Sequence, residues 1–254
     1  MKTFAFRYAV ILTIAFVFMS AEVIDDFLTQ QRKYARVRTA ITEKEDVIDS
    51  DLVKLNLTKD NFELLLLAFK EEKELQLFVK KKSESSFRWF KTYEVCASSG
   101  ELGPKAKQGD GQVPEGFYHI DRFNPASSFY LSLGLNYPNS ADKRRNPGGN
   151  LGGDIFIHGN CVTIGCLPMT DDKIKEIYLL AVHAKNNGQN NIPVYVFPFK
   201  MTDENMKSFE STYKSNTKLI AFWKTLKPGF DAFIKTRKAL DYKVSAKGEY
   251  IVAN

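Results

Sequence analysis

The feature that most constrains the fold is a series of short apolar runs that begins at Leu64. "LLLLAFKEEKELQLFVKK" and "SSFRWFKTYEVCASSG" are separated by "KSE", and "EGFYHIDRF" and "SFYLSLGL" continue the pattern. Runs of this length that are rich in aliphatic and aromatic residues and bounded by turn residues predict β-strands. The chain of 254 residues is 44% apolar, which is enough for a substantial core. Its middle is therefore predicted to be mostly β.

Helical patterns lie on both sides of this region. Residues 22–60 are highly charged with spaced apolar positions, which predicts one or two amphipathic helices that lie on the main domain or form a spacer. Thr170 precedes "DDKIKEIYLLAVHAKNNG", in which an N-cap, an acidic first turn and a closing Asn-Gly predict a helix over about residues 171–186. These helices attached to a mostly β domain predict the α+β class.

A second helical region begins at Thr202, and Pro228-Gly229 is expected to interrupt it. Its aromatic residues are predicted to serve core packing. We expect residues 201–254 to form a C-terminal helical extension packed on the main domain.

The N-terminus has the pattern of a targeting segment. Lys2 and Arg7 precede fourteen largely apolar residues, "YAVILTIAFVFMSA", after which the chain becomes acidic. This run is shorter than the roughly 20 residues of a membrane span and suits a secretory signal. Residues 1–21 are therefore predicted to be a signal peptide or N-terminal anchor. The protein is expected to be exported to the periplasm or cell envelope, where residues 8–21 would provide any association with the inner membrane.

The charge balance excludes little by itself. The chain has 36 basic and 30 acidic residues, a formal net charge of +6, and no long basic run. This pattern does not predict a nucleic-acid partner and is compatible with an anionic polymer such as peptidoglycan.

The sequence "IHGNCVTIGC", residues 157–166, holds a histidine and two cysteines within ten residues. A zinc site needs three or four ligands, and the other cysteine and histidine candidates, Cys96, His119 and His183, match no standard zinc spacing. We therefore expect no metal, and no organic cofactor is needed for thiol chemistry. A zinc-stabilised envelope protein stays as an alternative.

Three cysteines are an odd number for an exported chain, so one thiol either stays free or forms a disulfide with another molecule. Cys161 and Cys166 could form a disulfide only around a tight loop, and Cys96 could pair with either. We expect Cys96 and Cys161 to be small buried residues, with a disulfide as the alternative.

Cys166 has the best position for a nucleophile. It follows Gly165, which permits a close backbone approach, and it precedes the predicted helix near residue 171, whose N-terminus favours anions. His158 ends the apolar run "DIFIHG", and a short turn could bring it beside Cys166 as the partner base. This arrangement predicts that Cys166 is the most acidic and most reactive of the three thiols, with a pKa near or below neutral.

The motif resembles the active-site signature of L,D-transpeptidases with the YkuD-type domain, where His-Gly is followed by Ser or Thr, one residue, Gly and Cys. The matching residues here are His158, Gly159, Thr163, Gly165 and Cys166. "SSGELGPKAKQGDGQVPEGFYHI" resembles the upstream part of the same domain. The resemblance is strong over roughly residues 60–200 and implies a catalytic domain at 61–200 with a β-sandwich or open-barrel fold.

Three departures from many family members make this chain similar to the YafK-like branch. The interval between His158 and Cys166 is eight residues, Ile164 stands where others have a second histidine, and "LPMTD" follows without an arginine. Arginine-based substrate recognition is therefore not implied.

The resemblance implies a cysteine mechanism on peptidoglycan stem peptides, in cell-wall biogenesis. Cys166 would attack an amide to form a thioester, with His158 as base and then acid and the Gly159 carbonyl orienting the imidazole. The amides of Cys166 and Gly165 would form the oxyanion hole. The resemblance also assigns substrate binding to Asn160 and Thr163. Ordering of the loop is the alternative role for Asn160.

Two other functions use the same groove. A hydrolase of the same family would cleave peptidoglycan cross-links or peptidoglycan–protein links by passing the acyl group to water. A non-catalytic cell-wall-binding module would instead keep Cys166 as a structural residue.

Overall fold

The computed structural model describes residues 26–253, so the predicted targeting segment lies outside the described residues. Within 26–253 the chain forms ten strands and six helices. The strands are β1 (Phe62–Phe69), β2 (Glu74–Lys81), β3 (Arg88–Glu94), β4 (Gly116–Ser127), β5 (Tyr130–Leu135), β6 (Phe156–His158), β7 (Leu167–Pro168), β8 (Ile192–Phe197), β9 (Tyr242–Val244) and β10 (Tyr250–Val252). The helices are α1 (Phe27–Arg32), α2 (Ala35–Val53), α3 (Ser140–Arg145), α4 (Asp171–Asn186), α5 (Asp203–Thr212) and α6 (Thr217–Thr236). None of these helices is long and apolar enough to cross a membrane.

Eight strands form one mixed sheet in the order β3-β2-β1-β8-β4-β5-β6-β7. The β1–β8 and β6–β7 pairs are parallel, and the other neighbours are antiparallel. β9 and β10 form a separate hairpin. The short strands β6 and β7 therefore lie at one edge of the sheet.

The central strand β1 is buried on both faces. Leu64 and Leu66 belong to one core cluster, and the alternating Leu65 and Leu67 belong to a second. Because successive side chains of a strand point to opposite faces, an uninterrupted apolar run marks a strand that is covered on both sides. Helices α2 and α4 cover the first face, and α5 and α6 cover the second. The predicted α+β class is confirmed.

Helix α4 leads away from the candidate site and begins as the sequence predicted. The Thr170 side chain accepts the backbone N–H of Lys173 at 3.2 Å, and the helix ends at Asn186. This cap satisfies one of the donors left free in a first helical turn. Because the apolar face of α4 is buried in the core, the helix holds the segment that precedes it in a defined position.

The charged N-terminal segment packs against α4. Val37, Ile48 and Leu52 of α2 are fully buried in the first core cluster. Ion pairs flank this apolar contact, with Lys44 2.6 Å from Asp172. The pattern of spaced apolar residues in a charged stretch thus forms a helix that covers the sheet.

The expected interruption at Pro228 and Gly229 is wrong, because α6 continues through both residues. Proline removes one helical hydrogen bond, but Pro228 lies on the exposed side of the helix. Gly229 is buried so close to Phe117 that a Cβ atom there would collide with its ring. Burial of the apolar face, including Phe230, holds the helix together across the proline.

Candidate active site

The β6–β7 pairing sets the position of Cys166 relative to His158. The parallel register pairs Ile157 with Leu167 and His158 with Pro168, so Cys166 comes level with Phe156. The Phe156 amide donates to the Cys166 sulfur at 3.4 Å, in agreement with that register. Among residues 26–253 there is no hydrogen bond between the His158 ring and the Cys166 thiol. In enzymes without bound substrate, hydrogen bonds between reacting groups are often long or poorly aligned.

His158 is buried and held in one orientation. Its Nδ1 lies 2.6 Å from the carbonyl oxygen of Gly159, and its ring packs 4.7 Å from that of Phe129. Since a carbonyl oxygen only accepts, Nδ1 carries the proton and Nε2 is left with its lone pair. Burial lowers the pKa of His158, and the Gly159 carbonyl partly opposes that shift. The imidazole is therefore neutral near pH 7 and can accept a proton.

Gly159 has to be a glycine for a steric reason. A Cβ atom there would lie 2.6 Å from Asp171 Oδ1 and 3.0 Å from the Phe129 carbonyl oxygen. The same Asp171 oxygen accepts the backbone N–H of Asn160 at 2.8 Å. The first residue of α4 thus fixes the start of the loop, a role that sequence reasoning missed because Asp171 was interpreted only as a helix-terminal acid.

The thiol of Cys166 does not have the low pKa that the sequence suggested. It is half-buried and donates to the Asp154 carbonyl at 3.6 Å. Burial raises its pKa, the Phe156 amide opposes the shift, the charge of Asp154 adds to it, and the charge of Lys105 lowers it. The α4 N-terminus also begins with two acidic residues, which offset its attraction for a thiolate. The expectation of an acidic thiol in the free protein is corrected to a protonated one.

The amides expected to form an oxyanion hole have a partner within the loop. The Thr163 hydroxyl accepts the N–H of Cys166 at 2.8 Å and that of Gly165 at 3.2 Å. Both donors are directed at Thr163 and not at an open position. Thr163, assigned to substrate binding from the sequence, orders the backbone beside the thiol in the structure.

Gly165 occupies a position that a larger residue would strain. Its φ is +129°, and a Cβ atom there would lie 2.9 Å from the carbonyl oxygen of Gln112. The loop of residues 104–113 therefore lies directly against the backbone that carries Cys166. Asn160 also has a positive φ of 62°, and its side chain is exposed.

Two residues of that neighbouring loop, Lys105 and Asp110, were not singled out from the sequence. Lys105 is only 4% exposed, and its ammonium lies 2.5 Å from Asp110 Oδ1. Asp110 also accepts the backbone N–H of Gln112, the residue in contact with Gly165. A buried lysine is thus held within a contact network that ends beside Cys166. Its only sequence signal was the glycine-rich stretch "GPKAKQGDG".

Cys96 and Cys161 form a disulfide, with their Cα atoms 5.6 Å apart, and Cys166 is the free cysteine. The expectation that both were buried small thiols is wrong, since Cys161 lies in an exposed loop. The bond joins the end of β3 to the loop between His158 and Cys166.

A cavity of about 590 Å³ lies beside the free thiol. Its wall includes Cys166, residues 97–102 and Tyr213. Lys70 also lines it, but its ammonium is 2.9 Å from the buried carboxylate of Glu115, so its charge is neutralised within the protein. The cavity gives a substrate one open approach to the Cys166 sulfur.

Residues 26–253 contain no group of three or more histidine, cysteine, aspartate or glutamate side chains that could hold a metal ion. His119 and His183, considered above as zinc ligands, lie on β4 and α4, away from the His158 loop.

Comparison with known proteins gives consistent matches. A model of the L,D-transpeptidase catalytic domain, YkuD, matches residues 66–196. The chain is 40% identical over 188 residues to the protein named "Putative L,D-transpeptidase YafK" of Escherichia coli K12, covering 73% of this chain and 72% of that protein; the protein of the same name from Escherichia coli O157:H7 matches equally.

Two solved structures resemble the chain more distantly. The helical cell shape determining protein Pgp2 of Campylobacter jejuni has a TM-score of 0.44 at 18% identity, over 74% of each chain. Bd1075 of Bdellovibrio bacteriovorus has a TM-score of 0.40 at 20% identity, over 78% of this chain and 79% of that one.

Proposed function

Because the chain belongs to the L,D-transpeptidase catalytic domain family, we propose that it is a cell-envelope cysteine transpeptidase acting on peptidoglycan stem peptides. The observation that carries the proposal is the free cysteine Cys166 at the wall of a cavity. Cys166 directly precedes β7, and β7 pairs with β6, the strand that ends at His158. A nucleophile, a base and an open approach for a peptide meet there.

The first half-reaction forms a thioester. As the Cys166 sulfur attacks the carbonyl carbon of the amide between an L-centre and a D-centre, Nε2 of His158 takes the thiol proton. The tetrahedral intermediate then collapses, the C–N bond breaks, and His158 returns the proton to the leaving amine. The Gly159 carbonyl stabilises the imidazolium through Nδ1 between these two transfers.

The second half-reaction releases the enzyme. An acceptor amine attacks the thioester carbonyl, His158 takes a proton from that amine, and the C–S bond breaks to give a new amide. The proton then returns to the Cys166 sulfur. If water replaces the amine, the same steps give a carboxylic acid, which is the hydrolase outcome.

The starting protonation state supports a base mechanism in place of a preformed ion pair. Burial lowers the pKa of His158 and raises that of Cys166, so both groups are neutral near pH 7 in the free protein. Proton transfer is then coupled to attack on the bound substrate.

A location outside the cytoplasm agrees with the cysteines. A disulfide between Cys96 and Cys161 is typical of exported proteins, whereas cytoplasmic thiols are kept reduced. Residues 1–21 are proposed as the export signal.

Purified protein incubated with stem-peptide fragments and a free amine acceptor, followed by mass spectrometry, tests the proposal. We expect an acyl adduct on Cys166 and a product in which the amine has replaced the terminal D-residue. Cys166→Ser, nearly the same size, should give neither at a comparable rate. A carboxylic-acid product alone would assign the chain to hydrolysis, and a folded wild type without adduct or product would reject both reactions.

A further inference from the structure

We propose that the Cys96–Cys161 disulfide is a clamp that positions the cavity wall against the catalytic loop, residues 159–166, and that the oxidised protein is the competent form. The bond joins two segments that border the same cavity. Only the kinetic part of this inference depends on the proposed function.

The catalytic loop has few other attachments at its apex. Val162 is 51% exposed and Ile164 is 87% exposed, so neither buries its side chain in a core. The Thr163 hydrogen bonds run within the loop itself and do not join it to another element. A segment with little buried apolar surface opens at low cost. Cys161 gives this apex a covalent attachment to the rest of the protein.

The other end of the bond fixes the cavity wall. Cys96 directly precedes residues 97–102, which line the cavity together with Cys166. The Cys96 amide donates to the Pro168 carbonyl at 3.0 Å, so the chain runs beside β7 just before it enters the wall. A single residue thus ties the wall to β7 through its backbone and to the loop apex through its sulfur.

Breaking the bond frees both borders of the cavity. A dithiol reductant would transfer two electrons and two protons to the disulfide, giving two protein thiols and the cyclic disulfide of the reductant. The loop apex and the wall could then move apart, widening the cavity and exposing the Cys166 sulfur. The substrate would then be positioned less well, whereas a small reagent would reach the Cys166 sulfur more easily. A disulfide that only stabilised the fold would not produce these two opposite effects.

The double variant Cys96→Ser with Cys161→Ser tests the clamp in the full-length protein. Both cysteines are replaced because a single change would leave a free thiol near Cys166. At a temperature well below its unfolding midpoint, we expect kcat/KM for stem-peptide transfer to fall about tenfold to a hundredfold, mainly through KM. The alkylation rate of Cys166 by iodoacetamide should rise at least about threefold, since burial holds the thiol pKa up.

Val79→Ala is the matched control, because Val79 is fully buried in β2, away from the cavity wall. It should lower the unfolding midpoint while leaving KM and Cys166 alkylation within about twofold of wild type. If the clamp variant also showed a lower unfolding midpoint, while its KM and its Cys166 alkylation rate stayed within the range of the control, the proposal would be overturned.

Reduction of the wild type keeps the test independent of how the variant folds. Dithiothreitol treatment, removal of the reductant and alkylation mapping should show faster labelling of Cys166 while the disulfide is open, and reoxidation should restore the slow rate. An unchanged rate in the open form would contradict the clamp. Because alkylation needs no peptidoglycan, this result stands even if the proposed transfer activity is absent.

Discussion

Thr163 and Cys166 are joined by two hydrogen bonds that close the turn before the free thiol. The Thr163 hydroxyl accepts the Cys166 amide hydrogen at 2.8 Å and donates to the Cys166 carbonyl at 2.9 Å. It also accepts the Gly165 amide hydrogen at 3.2 Å. One short side chain therefore orients the backbone that carries the thiol.

Thr163→Val should lower activity by about tenfold to a hundredfold, because it keeps the shape of the side chain and removes the hydroxyl that holds two amides. Thr163→Ser retains the hydroxyl and should keep most of the activity. Steady-state rates on stem-peptide fragments would measure both. Equal rates for the two variants would show that the hydroxyl has no part in orienting the nucleophile.

Gly165→Val should reduce activity far more than Val162→Ala. The Cβ of any residue at 165 would press on the Gln112 carbonyl, and the positive φ disfavours a β-branched side chain. Val162 is half exposed and should tolerate truncation. The ratio of kcat/KM for the two variants is the measurement, and a ratio near one would contradict the strained geometry of this turn.

The predictable parts of the site were those encoded by neighbouring residues. The Thr170 cap, the acidic first turn and the closing Asn-Gly all lie within one segment, and α4 formed as expected. The motif from His158 to Cys166 was visible because the two residues are only eight positions apart in the sequence. Both patterns depend on local backbone preferences.

The parts that sequence reasoning missed depend on the folded chain. Cys96 is 65 residues from Cys161, and only the folded chain, in which the Cys96 amide donates to the Pro168 carbonyl of β7, brings them together. Burial reversed the expected pKa shift of Cys166, because a local argument from a helix N-terminus contains no desolvation. Lys105 was overlooked because the glycine-rich loop has no hydrophobic periodicity from which the burial of a side chain could be predicted.

The alkylation rate of Cys166 should still be rising with pH above about 8.5, the ordinary value for a free cysteine. Burial raises the pKa of this thiol, and His158 is neutral over that range because burial lowers its pKa. Labelling with iodoacetamide from pH about 6 to 10, with peptide mapping, would follow it. A plateau near neutral pH would instead indicate a preformed thiolate–imidazolium pair.

Lys105 should assist ionisation of the Cys166 thiol through its charge. The charge of Lys105 lowers the pKa of the thiol, whereas the charge of Asp154 raises it. Lys105→Met combined with Asp110→Asn removes the buried cation without leaving its partner charged. We expect the midpoint of the alkylation profile to move to higher pH. Asp110→Asn alone keeps the cation and is the control; a profile that moves equally in both variants would remove Lys105 from the electrostatics of the site.

His183 should make the protein less stable in mild acid. It is buried between α4 and α2, its Nε2 has no hydrogen-bond partner within residues 26–253, and Glu45 is 3.7 Å away. Burial lowers the pKa of His183; Lys59 adds to the shift, while Glu45, Asp49 and Asp60 oppose it.

The unfolded chain, with a histidine pKa near about 6.5, therefore binds more protons than the folded protein as the pH falls. The stability contributed by the neutral form is complete above that value and is lost as the pH drops toward the folded pKa. Urea midpoints at pH about 7.5 and about 5.5 should differ less in His183→Leu than in wild type, because the other titrating groups, including His119 and His158, cancel in the comparison. A wild-type difference that His183→Leu leaves intact would mean that acid acts through other groups and that α2 and α4 stay packed when His183 is protonated.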